Sequence, residues 1–445
     1  MKFGQFIRHT VLWSVDRLRG SPIRKHLRDI EYAFDFPEKY EAIRQQRLTD
    51  LLKHATTTTK YYSRFAENKN IYDFPVLNKA TLKQHVDDFL SNQYDKSSLP
   101  TTRTSGSYGL PFTYYMSKEK YNRRFAEILY FNGLAGYKPG MRFAQVRPKK
   151  FSWLHRWIKN SITINPYIIN EKWLERHRNV LLNGGIEFVI AYPGALHQIA
   201  TYCESKGDTP EDFRIKGIVC SAEGLTPKAR EKFHTVFGCP VFDRYAAQEL
   251  GVIAHESINH NNYYVNFASH YFELLAFDRD EPVKPGEPGR VVVTDLFSHA
   301  MPLVRYDTGD SAEMDIDSNG NPYVPQIKSI HGRILELIYK PNGDYVNWAA
   351  LFDVIDLDPE LTGSIFQYQF IQNSRDTYTI KLCVKPSFDG EENLLSKYRA
   401  LLGENAKVTV EYVDSIPPLA SGKRPIILNN MHKTKPSAKS LSASG

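Results

Sequence analysis

Apolar residues recur every three or four positions through Phe3, Phe6, Ile7, Val11, Leu12, Val15 and Leu18, with basic residues between them, which predicts an amphipathic helix. After Pro37 the segment EKYEAIRQQRLTDLLKHA lines up Tyr40, Ile43, Leu48, Leu51 and Leu52, a second helix with proline at its start. FPVLNKATLKQHVDDFL then reads as a short apolar turn and a helix capped by Asn78 or Thr81. From about Thr101 the texture changes. Short apolar runs such as FVIAYP, IKGIVCSAEG and CPVFDRYAA alternate with amphipathic helical stretches and glycine-rich turns, the signature of α/β alternation.

Between Tyr263 and Asp317 the runs YYVNF, YFELLAF and GRVVVTDLF flank the proline- and glycine-rich turn EPVKPGEPG, and antiparallel strands fit best. After His331, RILELIYKPNGDYVN carries an Asn-Gly hairpin signal, followed by a helix, strand YTIKLCV, helix NLLSKYRALLG and strand KVTVEYV. This predicts a small α+β domain. HKTKPSAKSLSASG lacks apolar content and is expected to be disordered.

With 445 residues, 42% hydrophobic and 24% charged, the chain can bury a sizeable core in two to three domains. Its four cysteines form no CxxC pair, so neither a disulfide framework nor a four-thiolate zinc site is expected, and a reducing compartment fits. The net charge of +7 is uneven: residues 1–30 hold seven basic and two acidic side chains, and Lys433, Lys435 and Lys439 follow Met431. The remaining body is nearly neutral, which argues against a nucleic-acid partner. The first thirty residues contain no uninterrupted apolar core of a signal peptide, and no charge-free stretch is long enough to span a bilayer. A cytoplasmic protein is expected. The basic amphipathic helix of residues 1–30 has two readings, packing on the body or peripheral contact with an anionic membrane at its inner face.

Thr104-Ser105-Gly106-Ser107-Tyr108-Gly109-Leu110-Pro111 has the hydroxyl and glycine content of a loop whose amides wrap phosphate. Taken alone it is equally a plain Ser/Gly/Pro turn. It is followed, in order, by CSAEGLTP, DRYAAQELG, PLVRYDTGD, HGR and SGKRP. In this order the motifs resemble the adenylate-forming enzyme superfamily. FPVLNK and AMPLVRYDTGD look like its phenylacetate–CoA ligase branch with the CapK-like members of capsular polysaccharide biosynthesis, over roughly Pro37 to Asn429.

The resemblance implies a large α/β domain with an antiparallel strand region over residues 1–331. It also implies a small mobile α+β domain over 332–430, beyond which the tail of residues 431–445 is expected to be disordered from its composition. Thr104, Ser105, Gly106, Ser107 and Gly109 would hold the β- and γ-phosphates of ATP. Tyr108 and Leu110 stand where the family often has a small hydroxyl residue and a lysine. Ser221, Ala222 and Glu223 match the strand-end motif that lines adenine.

Tyr245 matches the aromatic that packs on the base, and Glu249 the catalytic carboxylate that binds Mg2+, a cation that demands hard oxygen ligands. Ala246 and Gln248 replace the family's glycine and threonine. Asp310 matches the acceptor of both ribose hydroxyls, a geometry that two carboxylate oxygens satisfy together. Arg333 matches the arginine near the ribose, and Glu336 is a weak match for the hinge acid. Lys423 matches the catalytic lysine that enters the site during adenylation, where a compact cation offsets charge developing on phosphate.

The implied reaction is a carboxylic or amino acid plus MgATP giving acyl-AMP and pyrophosphate. The acyl group then passes to coenzyme A, or to an amine or hydroxyl of a sugar precursor in polysaccharide (capsule or O-antigen) biosynthesis. Both acceptors stay open. A different class of function, a non-catalytic nucleotide-binding assembly protein, is motivated by Tyr108, Leu110, Ala246 and Gln248. His255-Glu256 with His260 superficially suggests a zinc protease, but the second histidine falls at i+5 where one helical face needs i+4. For His255, His260 and His270 the expectation is a surface cluster or a lining of the acyl pocket. No GxSxG elbow or GxGxxG fingerprint appears.

Overall fold

The computed structural model describes the chain apart from residues 1–2, 68–69, 104–112, 147–155, 157–158, 167–170, 261, 285, 316–322, 334–337, 344, 347–349, 352–353, 356–357, 418–425 and 432–445. Within the elements, the side chains of 3, 103, 331–333, 345, 359, 362–363 and 366 are also outside the description. The chain forms two compact units, built on the stretches Met1–Ile330 and His331–Leu419.

The helices of the first unit include α1 (Phe3–Leu18), α2 (Pro22–Asp35), α3 (Pro37–Thr58), α4 (Lys79–Gln84), α5 (Lys118–Leu134), α6 (Glu171–Asn183), α7 (Pro193–Ser205) and α8 (Pro227–Phe237). Strands β1 (Thr101–Arg103) and β2 (Thr113–Tyr115) pair as an antiparallel ribbon. The strands that follow are β3 (Phe143–Val146), β4 (Ser161–Ile164), β5 (Phe188–Ala191), β6 (Ile218–Ser221), β7 (Val241–Ala247) and β8 (Gly251–Glu256). They continue with β9 (Tyr263–Val265), β10 (His270–Leu275), β11 (Pro288–Asp295), β12 (Tyr306–Met314) and β13 (Gln326–Arg333). Among the described residues these eleven form one sheet in the order β10-β11-β12-β13-β9-β8-β7-β6-β5-β3-β4.

The sheet has two halves. Strands β4, β3, β5, β6 and β7 are parallel, whereas β7–β8, β8–β9, β9–β13, β12–β11 and β11–β10 are antiparallel wherever their register is described. Parallel strands need helical crossovers and are buried on both faces, so they read as unbroken apolar runs. Thus Val189, Ile218 and Cys220 pack with Leu196 and Ile199 of α7 and Phe233 and Val236 of α8. Helix α8 begins where Thr226 Oγ1 accepts the Ala229 N–H at 3.1 Å, an N-cap followed by Pro227. The antiparallel half is covered by α3, whose Leu48, Leu51 and Leu52 join Ile253, Val293 and Leu303 in a second core.

Helix α4 is capped by the Asn78 side chain, which accepts the Thr81 N–H at 2.9 Å. All four cysteines are free thiols. Helix α1 turns Gln5 and Asp16 inward and leaves Phe6, Ile7, Val11, Val15 and Leu18 exposed. No helix among the described residues is long and apolar enough to cross a membrane.

In the second unit β14 (Ile338–Tyr339) and β15 (Tyr345–Val346) form the hairpin around Asn342-Gly343. Further elements include α9 (Pro359–Ser364), β16 (Ile365–Gln372), β17 (Thr377–Val384), α10 (Glu391–Leu402), β18 (Lys407–Tyr412) and β19 (Ile427–Asn429). The four-stranded sheet runs β18-β17-β16-β19. Leu394, Tyr398 and Leu402 of α10 pack on Phe370, Ile380 and Leu382. Strands β16 and β19 are additions to the elements expected from the pattern. The tail beyond Met431 lies outside the described residues.

Candidate active site

The segment RYDTGD enters β12 with a bulge. Asp307 pairs with Val292 and Ser311 with Arg290, so Thr308, Gly309 and Asp310 stand opposite the single residue Val291. Gly309 has φ +78°, a backbone region open to glycine and strained for other residues. The bulge is held internally: Thr308 Oγ1 donates to Val291 O at 3.0 Å, and the Gly309 and Asp310 N–H groups donate to Asp307 Oδ1 and Thr308 Oγ1 at 2.8 and 3.1 Å. On the far side, the Asp307 carboxylate meets Arg290 at 2.9 Å. The result fixes the direction in which Asp310 leaves the strand.

The FPVL segment docks on the same strand. Leu77 N–H donates to Arg305 O at 2.8 Å and Asp307 N–H to Leu77 O at 2.9 Å. Arg305 is buried, paired with Glu273 at 3.0 Å, and donates to Phe74 O at 2.9 Å. FPVLNK and RYDTGD are therefore two parts of one backbone junction.

Glu249 sits in the hairpin between β7 and β8. At Gly251, φ is +97° and an added Cβ would fall 2.6 Å from the Glu127 carboxylate, so glycine is required there. Buried Lys120 donates to Leu250 O at 2.8 Å and pairs with Asp295 at 2.7 Å. The turn is thus clamped immediately after Glu249. Its carboxylate is buried, and Oε1 accepts the Tyr306 hydroxyl at 2.7 Å.

Tyr245, on β7, donates to Asp310 Oδ2 at 2.6 Å and lies 3.1 Å from Thr308 Oγ1. Burial first, and then the neighbouring carboxylates, pushes the phenols of Tyr245 and Tyr306 well above their ordinary range, so both remain hydrogen-bond donors at neutral pH. The structure therefore brings Tyr245, Glu249 and Asp310 together through Tyr306 and Thr308. Those two residues lie inside RYDTGD, but their role depends on pairing across the sheet.

One strand over, at the carboxyl end of β6, Ser221 Oγ donates to Arg244 O at 3.0 Å. Ala222 has φ +76°, and Glu223 Oε2 accepts the Gly194 N–H at 3.0 Å at the start of α7. Strained backbone at the carboxyl edge of a parallel sheet, beside a helix start, is where α/β folds place ligands. Gln248 accepts from Thr102 of β1 at 3.3 Å, tying the Glu249 hairpin to the strand that leads into the hydroxyl/glycine loop.

Thr104, Ser105, Gly106, Ser107, Tyr108, Gly109, Leu110, Pro111, Glu336 and Lys423 lie outside the described residues. Arg333 closes β13, and its side chain also lies outside the description. The surface reading of the histidines is corrected. His255 is fully buried on β8, stacked on Phe131 with ring centroids 5.7 Å apart, and burial lowers it to about 3. His270 is equally buried against Val252 O. Only His260 reaches the surface, 3.3 Å from Glu256. His255 and Glu256 belong to a strand, which removes the helical geometry of a zinc protease.

Residues 338–430 match the family described as the CapK C-terminal domain. Over 414 residues, 87% of this chain and 89% of the other, the sequence is 24% identical to protein CapK of Staphylococcus aureus. It is 22% identical to a phenylacetate-coenzyme A ligase of Thermus thermophilus over 61% of this chain and 65% of that protein. Among solved structures, a 2-hydroxyisobutyryl-CoA ligase in its postadenylation state, in complex with R3-HIB-AMP, shares the fold. The TM-score is 0.70 at 16% identity, covering 89% of this chain and 90% of that one. An anthranilate CoA ligase in complex with anthranoyl-AMP superposes with a TM-score of 0.55 at 13% identity over 75% and 67% of the two chains. The chain is therefore similar in sequence to CapK over most of its length and to the phenylacetate–CoA ligases over a shorter stretch, and it shares the fold of adenylate-forming ligases.

Proposed function

We propose that this protein activates a carboxylic acid with ATP in the cytoplasm and passes the acyl group to an acceptor. The carboxylate oxygen attacks the α-phosphorus, the bond to the bridging oxygen of pyrophosphate breaks, and acyl-AMP and pyrophosphate result. The observation that carries this reading is the convergence of Glu249 and Asp310, 61 positions apart by their numbering, at strand β12, where Tyr245 donates to Asp310 and Tyr306 of the same strand donates to Glu249.

In this reading Asp310 accepts from the ribose hydroxyls, the Tyr245 ring packs on adenine, and the backbone of Ser221, Ala222 and Glu223 borders the base edge. Tyr306 holds Glu249 by one oxygen and so orients a hard anionic donor suited to a magnesium ion shared with phosphate. The bound ion would neutralise phosphate charge. Thr104, Ser105, Gly106, Ser107 and Gly109 cradle the departing phosphates, Arg333 serves the ribose region, and Lys423 stabilises charge developing at the α-phosphate.

The similarity to CapK favours an amine or hydroxyl of a sugar precursor as acceptor, in polysaccharide biosynthesis. The similarity to phenylacetate-coenzyme A ligases favours coenzyme A. Pyrophosphate release on mixing the protein, MgATP and a panel of carboxylic and amino acids tests activation. Adding coenzyme A or nucleotide sugars to the active pair separates the acceptors. Absence of acid-dependent pyrophosphate release across the panel supports the nucleotide-binding assembly role instead. Lys423→Ala is expected to lower adenylation by about 10²–10³-fold while ATP still binds. Near wild-type turnover removes Lys423 from the chemistry.

A further inference from the structure

Helix α1 is oriented opposite to an ordinary core-packing helix. Among the described residues its two buried side chains are polar: Gln5 bonds to Glu187, and Asp16, 2% exposed, accepts the N–H groups of Ile23 and Arg24 at 2.9 and 3.0 Å and so caps α2. Its outward face carries Ile7, Val11, Val15 and Leu18, the spacing of one continuous helical stripe, with Phe6 at its edge. Leu18 is 87% exposed. Thr10 and Ser14, which share that face, are uncharged, while helical geometry sets Arg8 and Arg17 along the two borders of the stripe.

The charge around the stripe is of one sign. Arg17, Arg19, Lys25 and Arg28 are exposed. The two acids of this segment are turned away: Asp16 is buried, and Asp29 is held by Arg47 at 2.7 Å and Arg123 at 2.5 Å. Further along α2 the acids Glu31 and Asp35 are exposed, so the basic surface ends there. Trp13 is fixed beside the stripe by Arg24, whose guanidinium lies 4.7 Å from its ring.

We infer that the outward face of α1 docks on an anionic lipid surface, with Ile7, Val11, Val15 and Leu18 entering the acyl boundary and the flanking basic residues meeting lipid phosphates. A single convex apolar stripe with basic borders matches an interfacial helix lying in the membrane plane. The alternative occupant, a second copy of this chain, would set Arg8 and Arg17 against their own like charges in a two-fold contact. The inference stands independently of the adenylation reading.

The test is co-sedimentation of the full chain with vesicles of phosphatidylcholine alone or mixed with phosphatidylglycerol, at low and high salt. Wild type is expected to pellet only with the anionic vesicles, and less at high salt. Arg17→Gln and Lys25→Gln should each lower the partition coefficient about five-fold, the effect of one basic residue near such a surface. The triple variant Ile7→Ser, Val11→Ser, Leu18→Ser alters exposed side chains and should melt like wild type yet fail to pellet. Three results overturn the inference: no pelleting of wild type with anionic vesicles, equal pelleting of wild type and the triple variant, or a wild-type dimer in solution that the triple variant breaks. Should the triple variant misfold, the charge variants decide, and unchanged partition in both overturns it.

Discussion

The parallel and antiparallel halves of the large sheet bury themselves by different means. Strands β3, β4, β5 and β6 contain no charged residue. In the antiparallel half, by contrast, His255, Glu256, His270, Glu273, Asp295 and Arg305 are all buried. An apolar strand fixes its position through area removed from water, which has no direction. A buried ion or hydroxyl must find a partner at a set distance and angle, so each such pair also aims its neighbours. The half with buried charges supplies the candidate site side chains Glu249, Tyr306 and Asp310, and the apolar half supplies strained backbone at Ala222.

The largest effect that separates the halves concerns stability. Arg305→Met leaves Glu273 buried and unpaired, and should cost about 3–5 kcal/mol. The double variant with Glu273→Leu should regain most of that loss, because neither charge then remains. Leu196→Ala in the parallel half is expected to cost about 2–5 kcal/mol through the cavity it leaves, and no single second change should rescue it in the same way. Denaturant melts of the three variants check the contrast. Absence of rescue in the double variant would mean that Arg305 acts through its bond to Phe74 O rather than through charge.

Nucleotide binding should divide along the same line. If Asp310 accepts from the ribose hydroxyls as proposed, Asp310→Ala should cost about 1.5–3 kcal/mol of charge-assisted hydrogen bonding, or roughly ten- to a hundredfold in Kd. Ser221→Ala changes a hydroxyl that serves Arg244 O and should leave Kd nearly unchanged. Calorimetric titration with ATP reads both. Equal losses would show that the end of β6 contributes a side chain after all.

This division also governs what the sequence discloses. FVIAYP, IKGIVCSAEG and CPVFDRYAA are legible as strands because burial on both faces leaves an unbroken apolar run. Glu249 and Asp310 are legible from their motifs. Their supports are not: Tyr306, Arg305 and Lys120 find partners 57, 32 and 175 positions away by numbering, and no local pattern encodes such pairings. The same holds for His255 and His270, polar in the sequence and buried in the fold. Helix α1 was legible as amphipathic, but which face turns inward depends on Glu187 and on the start of α2. Strand β16, IFQYQFIQ, mixes apolar and amide residues, and its register comes from β17 and β19.

Buried histidines give the antiparallel half a pH response of its own. Burial lowers His255 to about 3 and His270 well below its usual value. Both are therefore neutral in the fold, while in the unfolded chain they take up protons below about pH 6.5. Their contribution to stability is full above that pH and is lost as pH falls, by about 1.4 kcal/mol per unit for each histidine. Asp243, pushed up to about 6 by burial, works in the opposite sense between about pH 4 and 6, where the fold holds a proton that the unfolded chain has released. His255→Gln should flatten the decline of melting temperature between about pH 6 and 4. An unchanged slope would assign the acid response to groups outside this half.

The smallest effect tests the backbone role of the parallel half. Ala222 holds a left-handed conformation at φ +76°, which strains a residue with a Cβ by about 1–2 kcal/mol. Ala222→Gly relieves that strain but restores about 0.5–1 kcal/mol of unfolded-chain entropy, so a net stabilisation of up to about 1 kcal/mol is expected. If the amides and carbonyls around Ala222 border the base, the freer glycine should also weaken ATP binding a few-fold, because part of the preorganisation is lost. A raised melting temperature with weaker binding is therefore the expected pair of results, from a thermal melt and a titration on one variant. A raised melting temperature with unchanged affinity would leave β6 as scaffold alone and would place nucleotide recognition wholly in the antiparallel half.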